Sequence, residues 1–93
     1  MRVKNGLILN GLYQHYKGDY YKLIDIGKLH NSQNIFIVFY HKCDKNGVYI
    51  SIRPSENEII HQPFCTDINR FNEIVNVSGK LIPRFKFIKS LDG

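Results

Sequence analysis

Six side chains carry the chemistry this chain could perform: Tyr13, His15, Lys17, Tyr49, Arg53 and Arg84. A tyrosine ring offers a flat surface for a base, and an arginine fork offers paired N–H donors for a phosphate. Tyr13 and His15, like Tyr49 and Arg53, are an even number of residues apart, so on a strand each pair shares one face. The combination points to a binding surface for an anionic ligand, best matched by a nucleotide-derived small molecule. The competing reading gives the tyrosines to the core, because aromatic residues mostly serve packing. The arginines would then close ion pairs with Asp19, Asp25 or Glu73.

A second constellation, His41-x-Cys43 with His61-x-x-x-Cys65, holds the two Cys and two His that a tetrahedral zinc site needs. Its spacing is not that of a zinc finger, and neither half contains Cys-x-x-Cys, so loop histidines and small half-buried thiols are the reading preferred here. Nucleophilic catalysis needs a base held against the thiol or hydroxyl, and no local motif supplies one. Glu56-x-Glu58 reads as a solvated face, and Gly6, Gly11 and Gly18 are too far apart to cradle a phosphate. The expectation is therefore a non-enzymatic protein without a cofactor.

Charge and composition agree with an anionic partner. Lys and Arg outnumber Asp and Glu by 13 to 8, a net charge of +5, with a pI near 9.3. Such a balance favours anionic partners such as nucleic acid, nucleotides or a membrane surface. With 93 residues, 43% of them hydrophobic and 23% charged, the chain is expected to fold as one small domain. No apolar run approaches the roughly 18–20 residues of a membrane span, and Asn10, Gly11 and Gln14 interrupt what a secretory signal would need. Two cysteines are too few for a disulfide framework, so reduced thiols and a cytoplasmic setting are expected. The wealth of Ile, Asn and Lys suits the AT-rich coding sequence of a low-GC bacterium or phage.

The elements that must position these residues read as strands and tight turns. Residues 1–10 form an arm or short strand around Leu7-Ile8-Leu9, and the single small β domain spans 11–93. Gly11 to His15 reads as a strand, Lys17-Gly18-Asp19 as a turn, and Tyr20 to Leu29 as a long strand with a bulge near Gly27. Ile35 to Tyr40, dense in branched and aromatic residues, reads as a strand buried on both faces. Asn46-Gly47 signals a hairpin. Val48 to Arg53 alternates as a strand, and Pro54 ends it. Asp67 caps a single helical turn toward Ile74, Ser78-Gly79-Lys80 marks another hairpin, and Arg84 to Ile88 alternates as the last strand. Five or six short strands suggest a closed or half-closed antiparallel barrel, which removes exposed edges in few residues.

The motifs in this order resemble the bacterial and phage domain-of-unknown-function family 1653. They are Gly11-x-Tyr13-x-His15-Tyr16-Lys17-Gly18-x-x-Tyr21, Arg53-Pro54, and Gly79-Lys80-x-x-Pro83-Arg84-Phe85. The resemblance covers roughly residues 11 to 88 and implies a small barrel of the Src-homology-3-like kind, with no established activity. It also implies that the six residues named first share a surface. One departure marks this chain. In the family a phenylalanine follows the arginine-proline within a few residues and the closing hairpin comes directly after it, whereas here Ser55 to Arg70 intervenes. Either 55–70 is an insertion or long loop, or Arg53 is not the family's arginine.

The reading is thus a non-enzymatic binder, and a phage-encoded protein of this size could act by sequestering its ligand. A homo-oligomer would give the pocket more depth than one small barrel offers. Two alternatives remain: a nucleic-acid-binding or nucleoprotein-associated module, and a protein–protein adaptor or inhibitor.

Overall fold

The structure, a computed structural model, describes residues 1–50, 52–55, 58–60 and 63–92, with 52–55 and 58–60 as backbone strands only. A hairpin of β1 (Arg2–Lys4) and β2 (Leu7–Leu9) leads into β3 (Gly11–His15), β4 (Tyr20–Lys28) and β5 (Phe36–Cys43). A ribbon of β6 (Ile52–Ser55) and β7 (Glu58–Ile60) follows, then β8 (Phe64–Asp67) and the one-turn helix α1 (Ile68–Phe71). The hairpin of β9 (Ile74–Val77) and β10 (Lys80–Pro83) precedes the last strand, β11 (Phe85–Ser90). Five strands form one antiparallel sheet in the order β11-β3-β4-β5-β8. The fold is all-β, as expected. The described strands form no closed barrel, and β11 and β8 are the two ends of the sheet.

Register assigns the faces, because residues directly opposite each other point the same way. Tyr13 lies opposite Tyr21, His15 opposite Phe85, Leu23 opposite Tyr40, and Tyr40 opposite Phe64. These residues make the inner face. Leu12, Lys22, His41 and Cys43 alternate onto the outer face. The core sits on the inner face, where Leu7 and Leu9 of β2 and Phe71 of α1 cover Tyr13, Leu23, Ile26 and Val38. Each such buried apolar side chain stabilises the fold by about 1.5–3 kcal/mol.

Two local devices make this packing work. Strand β4 slips by one residue between Leu23 and Asp25, so Leu23 and Ile26, three apart, both face the core. Without the bulge, Asp25 would point inward; instead it lies exposed, bonded to Lys4 at 3.2 Å. At Gly11 the backbone passes so close to β2 that a Cβ would stand 2.8 Å from the Ile8 carbonyl oxygen and 3.2 Å from the Phe87 ring.

Several sequence expectations hold. Gly11–His15 is a strand, Gly18 turns the chain with φ +112°, and Asp67 caps α1 by accepting from the Arg70 N–H at 2.9 Å. Others need correction. The bulge in β4 lies at Leu23–Asp25, not at Gly27, which pairs regularly with Ile37. Over Ile35 to Tyr40 the chain is buried on one face only: Val38 is inaccessible, whereas Phe39 is 38% exposed, and outer-face burial begins further along β5, at His41 and Cys43. Of the strand expected over Val48 to Arg53, residues 48–50 lie outside the named strands, Ile52 and Arg53 belong to β6, and Ser51 lies outside the described residues. Val48, Tyr49 and Ile50 are exposed and are tied to β5 by the Tyr49–Cys43 bridge, the Ile50 N–H bond to the Lys42 carbonyl and the packing of Tyr49 on the His41 ring. Pro54 lies within β6, where the register of the ribbon shifts, rather than ending the strand.

Candidate functional site

Beside the core, the inner face opens into a cleft of about 190 Å³. Its walls are aromatic: Tyr21 from β4, Tyr40 from β5, Phe64 from β8 and Phe85 from β11. Tyr21 meets Tyr40 edge-to-face at 5.2 Å and Phe85 at 5.7 Å, and Tyr40 stacks on Phe64 at 5.9 Å. Phe71 braces Phe85 from behind, with rings nearly parallel at 4.2 Å. Ring pairs of this kind each add about 0.5–1.5 kcal/mol beyond area burial, which helps to hold the walls together. Burial pushes both tyrosine hydroxyls above their usual pKa, with Asp19 and Tyr40 adding to the shift at Tyr21. At Tyr40 the neighbouring Cys65 adds to it, while Arg70 and Arg84 oppose it. Both hydroxyls therefore keep their protons at neutral pH and can donate.

The polar lining is His15, Thr66, Arg70 and Arg84, with no carboxylate among the described lining residues. Arg84 is the most constrained. Its N–H donates to the Glu73 carbonyl at 2.8 Å, and its own carbonyl accepts from the Tyr16 N–H at 2.9 Å. Its guanidinium donates from one terminal nitrogen to Glu73 Oε1 at 2.9 Å and lies 5.6 Å from the Tyr16 ring centre. The side chain is only 15% exposed, and among the described residues its buried Nε has no partner. A buried N–H without a partner costs about 1–3 kcal/mol, which an incoming acceptor would relieve. Arg70 stands exposed on α1, placed by the Asp67 cap.

His15 is held between Phe85 at 5.0 Å and Tyr16 at 4.5 Å. Its Nδ1 accepts from the Lys17 N–H at 3.2 Å, which leaves the proton of the neutral ring on Nε2 as a donor. Burial, then Arg84 and Lys17, lower its pKa, and Asp19 opposes them. The free cleft thus holds a neutral imidazole between two cationic neighbours.

The structure divides the six residues singled out in the sequence. His15 and Arg84 line the cleft together, and Lys17 lies exposed beside it. Tyr13 belongs to the core: it is 4% exposed, and its hydroxyl accepts from the Ile8 N–H at 3.0 Å. Tyr49 is on the outer face, 4.5 Å from the His41 ring and under the Lys22 ammonium at 4.9 Å. Arg53 lies in β6, and its side chain falls outside the described residues. Of the four candidate metal ligands, His41 and Cys43 are buried, Cys65 is exposed, and His61 lies outside the described residues. Among the described residues no three His, Cys, Asp or Glu side chains gather as a metal site. Tyr21, Tyr40, Phe64, Thr66, Arg70 and Phe85 complete the cleft without having been singled out as ligands. Tyr21 and Phe85 stand in the quoted motifs, and the Asp67 cap was the available signal for Arg70.

Fold and site together define a small antiparallel β protein with an arginine-rimmed aromatic cleft on one face. The model of the family described as protein of unknown function (DUF1653) matches residues 11–87, and the chain belongs to that family. The crystal structure of a DUF1653 protein from Bordetella bronchiseptica is similar, with a TM-score of 0.64 and 20% identity over 92% of this chain and 94% of that one. At this identity the likeness shows the shared fold alone. Comparison with curated proteins gives no match. Among the described residues no helix is long and apolar enough to cross a membrane.

Proposed function

We propose that this protein is a non-catalytic binding module whose inner-face cleft takes an anionic ligand, with a nucleotide-derived small molecule as the best chemical match. The observation that carries this reading is Arg84: a largely buried guanidinium, paired with Glu73 through one terminal nitrogen and with its Nε unpartnered among the described residues, at an aromatic cleft with no carboxylate among its described lining residues. Its chemistry suits an anion, and the ring walls suit a flat group attached to it. The open five-stranded sheet, bulged in β4 and β11, is read as an opened Src-homology-3-like barrel. The setting is the cytosol, with both cysteines as free thiols.

The test is a search for a co-purified ligand. The chain has no Trp, so a bound base would raise absorbance near the nucleotide band. Mass spectrometry of the denatured protein would then identify it. The expected result is a small anion present with the native protein and absent from the Arg84→Gln variant; a ligand retained equally by both would contradict the assignment. The net charge of +5 also favours a nucleic-acid reading. That alternative predicts affinity falling steeply with salt, because several phosphates would release counterions.

A further inference from the structure

We propose that the cleft selects a terminal phosphate, the dianion of a phosphomonoester carried on a flat ring, over carboxylates and phosphodiesters of similar size. The inference rests on reading the cleft as an anion site and adds which anion it takes. Three nitrogen donors of different elements line the cleft: Arg84 before β11, Arg70 on α1, and His15 at the end of β3. The Lys17 N–H occupies Nδ1 of His15, so the neutral ring can only donate, from Nε2. Thr66 adds a hydroxyl; Glu73 occupies one terminal nitrogen of Arg84 and leaves its Nε unpartnered among the described residues, and no carboxylate is among the described lining residues. A phosphomonoester presents three terminal oxygens and close to two charges at neutral pH. A diester presents two oxygens and one charge, and a carboxylate two oxygens in one plane. Three donors spread over three elements match the first of these.

Volume sets the second limit. Whole small-molecule ligands occupy pockets of about 300–1,000 Å³, and this cleft holds about 190 Å³. It therefore takes the charged end of a ligand with part of the attached ring, and the remainder stays outside. A mononucleotide and the phosphorylated end of a nucleic-acid strand share that chemistry, and only a binding comparison separates them.

The experiment is calorimetric titration of the intact chain at fixed ionic strength with three probes: phenyl phosphate, phenyl methyl phosphate and benzoate. Phenyl phosphate is expected to bind at least about tenfold more tightly than either other probe, the factor that one additional charge-assisted hydrogen bond supplies. Its affinity should fall once pH drops below its second pKa, about 6, while that of the diester stays flat to the same point. The groups facing His15 that titrate or carry charge are Tyr16, Lys17 and Asp19 of its own turn, Tyr21 of β4, and Arg84, with Tyr40 and Arg70 also lining the cleft. Arg70→Gln, at an exposed position that the fold tolerates, and His15→Asn should each narrow the preference of phosphate over diester. Lys28→Gln, at the far end of β4, should leave it unchanged. Equal or tighter binding of the diester or benzoate overturns this inference and leaves the anion site standing. An undiminished preference in both Arg70→Gln and His15→Asn overturns it as well. If none of the probes binds, the anion site and this inference fall together. With selectivity established, adenosine monophosphate against an oligonucleotide phosphorylated at its end separates the two sources.

Discussion

The two faces of the central sheet hold similar residue types and use them differently. On the inner face, His15 and Arg84 stand at a cleft walled by Tyr21, Tyr40, Phe64 and Phe85. On the outer face, His41, Lys22 and Tyr49 form a comparable group of imidazole, ammonium and phenol. There the ammonium already lies over the ring, and His41 is buried with its Nδ1 2.9 Å from the Lys42 carbonyl oxygen. The cationic group of the outer face is thus engaged by its own aromatic neighbour. The cleft differs because Arg84 is largely buried with a donor to spare among the described residues, and because α1 brings in a second arginine. Similar composition on the two faces thus comes with different surroundings, and a spare donor in a walled space is found on the inner one.

The comparison can be broken or sharpened in order of effect. Phe71→Ala should cost the most, about 3–5 kcal/mol of stability, since the ring is buried beneath the inner face and stacks on Phe85. Chemical denaturation would measure it, and binding should fall with loss of the wall. Gly11→Ala comes next, at about 1–3 kcal/mol, because its Cβ would press on the Ile8 carbonyl and two rings. A stability unchanged by that variant would show that β2 can yield there.

Arg84→Gln is expected to weaken anion binding by at least about tenfold, the scale of one charge-assisted bond, with a smaller loss of stability from the Glu73 pair. The outer-face variants Lys22→Gln and Tyr49→Ala should leave ligand affinity unchanged. Lys22→Gln should shift stability by no more than about 0.5–1 kcal/mol, the scale of an exposed cation–π contact. If they weaken binding as much as Arg84→Gln does, the division between the faces is wrong.

The smallest effect concerns pH. His15 has a folded-state pKa below its ordinary 6.5, chiefly through burial, then Arg84 and Lys17. The unfolded chain therefore binds more protons in the window just below that value, so stability falls as pH drops through it. Thermal melts at a series of pH values should show this slope in the native protein and a flatter one in His15→Asn.

Much of the scaffold was legible because turns and caps are local chemistry. Gly18, Ser78-Gly79 and Asp67 announced their turns and cap through residues that suit those backbone conformations. The site was harder to read because alternation places residues on a face within one strand but does not say which strands share that face. Tyr13 and His15 do share one, yet Tyr13 lies under Leu7, Leu9 and Phe71 while His15 reaches the cleft. Tyr49 looked equivalent and lies on the opposite side of the sheet, because its bridge to Cys43 fixes it there. The bulge at Leu23–Asp25 exchanges inner and outer residues for the rest of β4. No glycine marks it, so sequence placed the bulge elsewhere. Arg70 arrives through α1, inside a stretch that read as a long loop, and only the Asp67 cap hinted at it.

The central claim is that ligand binding belongs to the inner-face cleft alone, and an NMR titration of isotopically labelled protein with phenyl phosphate tests it most directly. Progressive shifts are predicted at the His15 imidazole, the Thr66 and Arg70 amides, the Arg84 side-chain Nε–H, and the Tyr21 and Tyr40 rings, while Lys22, His41 and Tyr49 stay still. Shifts concentrated on Lys22, His41 and Tyr49, with the cleft unmoved, would contradict it.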